Sequence, residues 1–502
     1  MDAPNPPPLL SLPPELIQQI LTFVSLSDLL SISLVNRVLY EHSLQDTLYK
    51  PLVQSPTQGI TPAKPDELTW RELYKTHHPY WFIPRNKIWF ADNVHTGKLL
   101  IARYNHRLNA IEAFALVAER RQPTFPIWDW HPEVIIHTFD PKLQLDLNAP
   151  ILRLDCKAYE NAVGDVVYRL QKEVPMNVHQ DHPESPAGHH SRLILTSPLP
   201  PHKTSSSTSV WPPLILPSEN RTRTNSATHF RDISDRPSTL SELSPSTFRI
   251  RKWLQFSSRR LGHNQHIGEE IITFATLPEE LYTPTPQKPW QGIWCGDYAG
   301  HGVEFLVVTQ PEEPDSLPLR ADWAMLERER QSSVSSVDSW STAHTSHSSG
   351  EAGHQNDAGH VSVTDPNIET SWGTAQPHEY PREHASSSAA TTSCNEDDSI
   401  YRGRIEAIKL TGDPNIPRGE YTFIAPDIGA NGLVRIATED MFKGARIVKS
   451  VGHIAARGYR DDDFIPSQLI LISHDRLAQY WEEFGHVSFY QRVNIDEFTK
   501  VD

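Results

Sequence analysis

The chain has 502 residues, room for two or three ordinary domains, yet its 42 prolines and 38% hydrophobic share fall short of the roughly 45–50% apolar content of compact proteins, so much of it is not expected to build a core. The formal charge of −16 is concentrated: Glu312 to Asp398 holds sixteen acidic and four basic residues and no lysine, the remainder is nearly balanced, and neither nucleic acid nor a membrane surface is implied as a partner. Cys156, Cys295 and Cys394 are too few and too scattered for a disulfide framework or a zinc site, no basic-plus-apolar leader or spanning stretch of ~18 residues is seen, and a reduced cytoplasmic and nuclear setting is expected.

The first element is the most informative. Pro13-Pro14 fits a helix start, where a missing amide costs nothing. Leu16, Ile17, Ile20, Leu21 and Val24 then recur at helical spacing. Ser27 can cap a second helix over Asp28 to Val35, with Asp28 near its positive end. About 45 residues of this kind cannot close a core alone, so some of these side chains need another surface, either in this chain or on a partner. Leu10 to Leu16, Ile20-Leu21, Asp28-Leu29-Leu30 and Leu34-Val35-x-Arg37 resemble an F-box, in the family's order. Leu39 and Tyr49 stand where many F-boxes have tryptophans. The resemblance implies docking on a Skp-type adaptor, and through it on cullin and RING subunits, by Leu12, Pro13, Leu16, Ile20, Leu21, Leu29, Leu34 and Val35. The alternative is an amphipathic hairpin packed on its own chain.

Further along, Asp66 to Thr76 reads as a helix with Leu68, Leu73 and, in part, Trp70 and Tyr74 inward. Lys87–Phe90 and Leu99–Ala102 flank a polar turn, His95 to Lys98, as in a hairpin, with Gly97 able to supply positive φ. Ala110–Val117, Val134–Phe139, Ile151–Leu154 and Val166–Leu170 continue the run of short strands. Pro175 to Ser246 is too rich in Pro, Ser, Thr, His and Arg to offset the ~1–2 kcal/mol of backbone entropy per residue. His179, His182, His189 and His190 there read as a solvated linker rather than a metal tract. Phe248 to Leu261 joins Arg249, Arg251, Lys252, Arg259 and Arg260 to apolar residues, as an import or anion-binding segment or as a short covering helix. Structure resumes at Glu270–Ala275 and at the glycine-rich pair of strands from Pro289 to Val308.

Pro311 to Ser399 reads as a second disordered tract, with nine serines among residues 331–349. Ser185, Ser197 and Ser244 precede prolines and, with that tract, offer phosphorylation sites. The last block offers strands at Arg404–Leu410, Tyr421–Ile424, Val434–Thr438, Ala445–Ala455, Gln468–Ser473 and Val487–Val493, with Asp475–Phe484 as a helix or extended edge. The expected fold is α+β: an F-box over 8–54, then one antiparallel β-barrel assembled from 66–174, 247–310 and 400–502, with disordered insertions at 175–246 and 311–399. Long insertions are tolerated because closure entropy grows only logarithmically.

Gly292-Ile293-Trp294-x-Gly296-Asp297-Tyr298-x-x-His301-Gly302-x-Glu304 and Lys409-Leu410-Thr411-Gly412-Asp413-Pro414-Asn415-Ile416-Pro417-Arg418-Gly419 resemble signature segments of the F-box only protein thirty-one family. Val451–Ala455 and Phe489–Val493 resemble its closing strands. The resemblance implies a non-catalytic substrate receptor for ubiquitin ligation and protein degradation, whose barrel grips the C-terminal degron of a client, D-type cyclins above all or chain ends carrying an amide. Animal members hold a zinc through Cys and His. This chain lacks that cluster, so no metal and no cofactor is expected.

The implied client-binding residues are Trp294, Tyr298, His301, Asp413, Asn415 and Trp481. Each also has a plainer reading. Asp413-Pro414-Asn415 is a turn by its chemistry, and the three aromatics at strand spacing suit a core as well as a cleft. His301 and Glu304 form an acid/base pair only on paper, with no nucleophile nearby. A barrel for a small apolar ligand, a hydrolase, and an F-box protein acting outside a ligase are the rival readings.

Overall fold

The computed structural model describes residues 8–53, 63–91, 97–122, 124–164, 167–176, 187–198, 233–257, 264–298, 302–334 and 400–501. They fall into a compact unit, Met1–Arg328 with Ser399–Asp502, and a second stretch, Glu329–Asp398, of which only the end of one helix is described. Both sheets lie in the first unit.

Four short helices open it: α1 (Pro14–Leu21), α2 (Leu26–Ser33), α3 (Arg37–Ser43) and α4 (Lys50–Val53). Pro14 opens α1 as expected. The cap of α2 is Ser25 rather than Ser27: its Oγ accepts from the Asp28 N–H at 3.2 Å, and the helix begins two residues early. Asn36 caps α3 in the same way, through the Leu39 N–H at 2.8 Å. Helix α5 (Trp70–His77) starts from a capping box between Thr69 and Glu72 and buries Leu73. Helices α6 (Phe82–Arg85) and α7 (Cys156–Glu160) are single turns.

The strands are β1 (Ile88–Ala91), β2 (Leu99–Asn105), β3 (Ala110–Glu119), β4 (Ile135–Ile136), β5 (Lys142–Leu145), β6 (Leu152–Leu154), β7 (Val174–Pro175), β8 (Ala187–Leu195), β9 (Thr247–Ser257) and β10 (Asn264–Ala275). The second group is β11 (Gly292–Asp297), β12 (Val303–Thr309), β13 (Ile405–Lys409), β14 (Tyr421–Ala425), β15 (Leu433–Ile436), β16 (Arg446–Ala456), β17 (Arg460–Ser473), β18 (Arg476–Trp481) and β19 (His486–Arg492). They do not form one barrel through every block. Nine strands make a first sheet in the order β5-β3-β2-β1-β10-β9-β8-β7, with β6 also on β3. Eight others close an antiparallel barrel, β11-β12-β13-β14-β16-β17-β18-β19 and back to β11 through Trp294↔Arg492 and Gly296↔Tyr490. Strand β15 hangs on β16, and β4 joins β19 in parallel.

Alternation explains how the two sheets share a core. Trp294, Leu306, Val308, Ala407, Leu469 and Tyr490 face into the barrel. Their neighbours Ile293, Cys295, Phe305 and Val307 face outward and pack with Ile88, Phe90, Leu99 and Ile101 of the first sheet. The sheet's other face, including Trp89, Leu100 and Ile111, is covered by α5 to α7. Helix α8 (Leu319–Val334) lays Ala321 and Ala324 against Ile424, Val451 and Phe464 on the barrel wall. Helix α9 (Ile495–Thr499) sets Asp496 beside Lys87, which also pairs with Glu279.

Several expectations are corrected. The 175–246 tract contains β8, whose Leu193, Ile194 and Leu195 are buried, and described chain from Ile233 onward. The 311–399 tract contains α8. Phe248–Leu261 is neither a loose basic segment nor a helix: β9 runs to Ser257, Arg249 is buried beside Thr273, and Arg251 pairs with Glu173, while Arg259 and Arg260 lie outside the described residues. Arg169–Gln171 is one turn of 3-10 helix instead of a strand, Val134–Phe139 supplies only β4, and Asp475–Phe484 contains barrel strand β18. The β1–β2 hairpin forms, its turn residues His95 and Thr96 lying outside the described residues. Gly97 is there for room: its N–H donates to Thr411 O at 2.6 Å and the Arg418 side chain occupies the space of a Cβ. His179 and His182 fall outside the described residues, and His190 stacks on Trp253.

Candidate functional site

Two surfaces qualify. In the N-terminal helices, Ile17, Leu21, Leu29, Leu39, Leu48 and Tyr49 make a small core, closed from below by Trp70 and Tyr74 of α5. Tyr49 adds a hydrogen bond to Ser43 O at 3.2 Å, and Asp46 accepts from the Arg71 N–H at 3.0 Å. The helices are thereby fixed to the body of the protein. This core uses only half of the apolar side chains. Leu16, Ile20, Phe23 and Val38 remain exposed, with Phe23 84%, Leu34 87% and Val35 68% open to solvent. So dense an apolar face on a helical tip marks an interaction surface.

Of the residues expected to meet an adaptor, Leu16, Ile20, Leu34 and Val35 lie on this open face and Pro13 is exposed at its edge. Leu12 is half-buried, and Leu21 and Leu29 belong to the inner core. Phe23 and Val38 were not singled out. Spacing from Ile20 would have found Phe23, whereas Val38 lies on α3, beyond the break at Asn36, and no helical period leads to it from Leu34.

The second candidate is a buried polar cluster in the barrel interior. Lys409 projects inward from β13 and sits between two carboxylates, 2.8 Å from Glu304 of β12 and in direct contact with Asp413. All three are buried. One ammonium cannot neutralise two carboxylates, and the surroundings decide which keeps its charge. Asp413 Oδ1 also accepts the N–H groups of Asn415 (2.6 Å) and Ile416 (2.7 Å). Burial opposes its charge, but Lys409 and these hydrogen bonds outweigh it, and its pKa falls to about 2. Glu304 has no such donors. Burial first, then the charge of Asp413, push it up to about 8 against the pull of Lys409. Burial works against the charge of Lys409, yet Glu304 and Asp413 together hold its pKa above the usual lysine value.

The ammonium also lies 4.7 Å from the centre of the Tyr298 ring, which meets Tyr490 edge-on at 5.9 Å. A hydrogen-bonded chain continues from the Tyr490 hydroxyl to Gln479 (2.9 Å), from Gln479 to Ser467 (3.2 Å) and from Ser467 to Ser450 (2.8 Å). Trp481 donates to Ser488 at 3.2 Å and lies over Gly452, where any Cβ would collide with its ring.

The structure thus brings Tyr298 and Asp413 together around Lys409; Asn415 lies in the Asp413 turn, with its Nδ2 donating to Ala455 O at 2.9 Å, and Trp481 sits apart from them, over Gly452 and beside Ser488. Trp294 is a core side chain, fully buried, with its Nε1–H on Trp290 O. His301 lies outside the described residues. Sequence reasoning missed Lys409, Gln479, Ser450 and Ser467. A lysine at an inward position of the strand Ile405–Lys409 was the available signal, because a buried ammonium demands a counter-ion. Chemically, this interior offers hydrogen-bond donors and acceptors around a carboxyl whose pKa burial raises. Among the described residues no three His, Cys, Asp or Glu side chains gather as a metal centre.

Residues 9–55 match the family described as F-box-like, and residues 274–497 match the family described as Cyclin D1 binding domain. The first match spans α1 to α4, and the second runs from the end of β10 through the barrel into α9. None of the curated proteins matches the chain. The chain therefore carries an F-box-like stretch on its opening helices, and its closed barrel lies inside a region similar to the cyclin D1 binding domain.

Proposed function

We propose that this protein is the substrate-recognition subunit of an SCF-type cullin-RING ubiquitin ligase, of the F-box only protein thirty-one kind, acting in the cytosol and nucleus. The observation that carries the reading is the open face of Leu16, Ile20, Phe23, Leu34 and Val35, left uncovered on helices that are otherwise anchored through α5. A Skp-type adaptor covers it, and brings the cullin and RING subunits with it. The barrel region holds the tail of a client, a cyclin being the class its similarity favours. The chain performs no covalent chemistry: it raises the local concentration of client lysines at the conjugating enzyme.

Leu34→Asp/Val35→Asp tests the first half. Both side chains are exposed, so the thermal midpoint should stay within about 2 °C of wild type, while adaptor affinity drops by at least about 100-fold. Unchanged adaptor binding overturns the reading. For the second half, a D-type cyclin and the same cyclin lacking its last residues are compared for binding to the purified adaptor complex. Equal binding of the two removes the tail from the proposal.

A further inference from the structure

Between buried Tyr282 and buried Pro289, the chain makes an exposed turn, Thr283-Pro284-Thr285-Pro286-Gln287-Lys288. Thr285 and Lys288 close it. The Thr285 N–H donates to Lys288 O at 3.3 Å, and the Lys288 N–H donates to Thr285 O at 3.0 Å and to Thr285 Oγ1 at 3.1 Å. Beside the turn lies a cleft of about 650 Å³ lined by Thr285, Lys288, Arg402 and Arg404, with Glu280 and Glu312 at its acidic side. Its cations are under-used. Lys288 Nζ meets Glu312 at 3.0 Å, but that carboxylate is 83% exposed. Arg402 makes no side-chain ion pair among the described residues. Arg404 is buried, with Nη1 on Asp315 O and Glu406 and with Nε lacking any partner there.

The geometry points to Thr285 as a phosphorylation site whose phosphate is received by this cleft. Pro286 directly after the acceptor and Lys288 three residues on fit a proline-directed kinase that also reads a basic side chain, the preference of cyclin-dependent kinases. Thr283 also precedes a proline but has Pro286 at the third position, and its Oγ1 donates to Glu279 O at 2.8 Å. Ser244-Pro245 is excluded by burial, its Oγ accepting from Thr247 Oγ1 at 2.7 Å. In the reaction the γ-phosphoryl group of ATP passes to Thr285 Oγ1. The bond from that phosphorus to ADP breaks, the Oγ1–P bond forms, and the hydroxyl proton leaves to the kinase base. For the segment to enter a kinase, the bonds closing the turn must open, those from Lys288 to Thr285 Oγ1 and from Gln291 to Thr283 O among them. The phosphate then carries about −1.5 to −2 charge against the single exposed charge of Glu312. It draws Lys288 and Arg402 to itself and frees Glu312 in the connection leading to α8. The proposal does not depend on the adaptor or on the client.

The test uses the full chain with a cyclin-dependent kinase and ATP, read by site-resolved phosphopeptide mapping. Site resolution matters because Thr61-Pro62-Ala63-Lys64 repeats the spacing. Thr285 should be labelled in wild type and in Thr283→Ala. Protein carrying phosphothreonine only at 285, installed by genetic code expansion, is then titrated by phosphorus NMR beside the free phosphopeptide Thr-Pro-pThr-Pro-Gln-Lys-Pro. The second phosphate pKa, about 6 in the peptide, should fall by about one unit in the protein and return in Lys288→Ala/Arg402→Ala. No label at Thr285 while other sites are labelled overturns the proposal, as does a phosphate that titrates in the protein as it does in the peptide.

Discussion

Glu304→Gln isolates the proton held inside the barrel. Gln has nearly the same shape and keeps a donor toward Asp413, and it cannot ionise. In wild type the folded pKa of Glu304 is raised from 4.5 to about 8 by burial and by Asp413. A raised pKa contributes stability that is complete below the unfolded value and is lost as pH climbs through the folded one. Each pH unit in that window removes about 1.4 kcal/mol. From pH 5.5 to 7.5 wild type should therefore lose on the order of 3 kcal/mol relative to Glu304→Gln, a gap in thermal midpoint of roughly 3–5 °C. The depressed pKa of Asp413 acts only as pH falls below 3.8 toward about 2, outside the window. His77 and His486, pushed down to about 4 by burial, lose stability as pH falls below 6.5, but they do so in both proteins and cancel. Scanning calorimetry of both proteins at five pH values is the assay. Curves that run parallel from pH 5.5 to 7.5 would mean Glu304 is ionised in the fold, and the account of one ammonium between two unequal carboxylates would be refuted.

Two further changes probe the barrel. Trp128 is buried against its outer wall, edge-on to Phe442 and Tyr480, with Nε1–H on Glu439 at 2.9 Å. Trp128→Ala should cost about 3–5 kcal/mol and expose residues 124–138 to limited proteolysis; a loss below about 1 kcal/mol would show that this segment is not pinned there. Gly452→Ala forces a methyl into the Trp481 ring and should cost about 1–3 kcal/mol, with a change in near-UV circular dichroism from the displaced indole. An unchanged spectrum would contradict the close packing of Gly452 and Trp481.

The helical tip was legible because Leu16, Ile20, Leu34 and Val35 are apolar at helical spacing and too many for the core they surround. Which of them turn inward was not: Leu21 and Leu29 differ from Leu16 and Leu34 only in where α5 and the neighbouring helices lie. Most barrel strands were visible from their own alternation, yet β1 to β3 read the same way and belong to another sheet. Periodicity tells which faces are buried and not which strand is the hydrogen-bonding neighbour. Strand β8 was missed because Leu193, Ile194 and Leu195 form a short run inside a Pro- and Ser-rich stretch. Asp413 illustrates how both readings of one residue can hold. It makes the turn its residue type announces, through Asn415 and Ile416, and also pairs with a buried lysine that only the closed barrel brings to it.

The outward row of Ile293, Cys295, Phe305 and Val307 sets a limit on how this chain can be cut. A fragment trimmed to the matched stretch from residue 274 would begin after most of the strands that cover that row. Its wall would meet water, and such a truncation should aggregate during expression, whatever the integrity of its own hydrogen bonds. A soluble derivative needs to start no later than Thr69, so that the capping box, β1 to β3 and the barrel are made together.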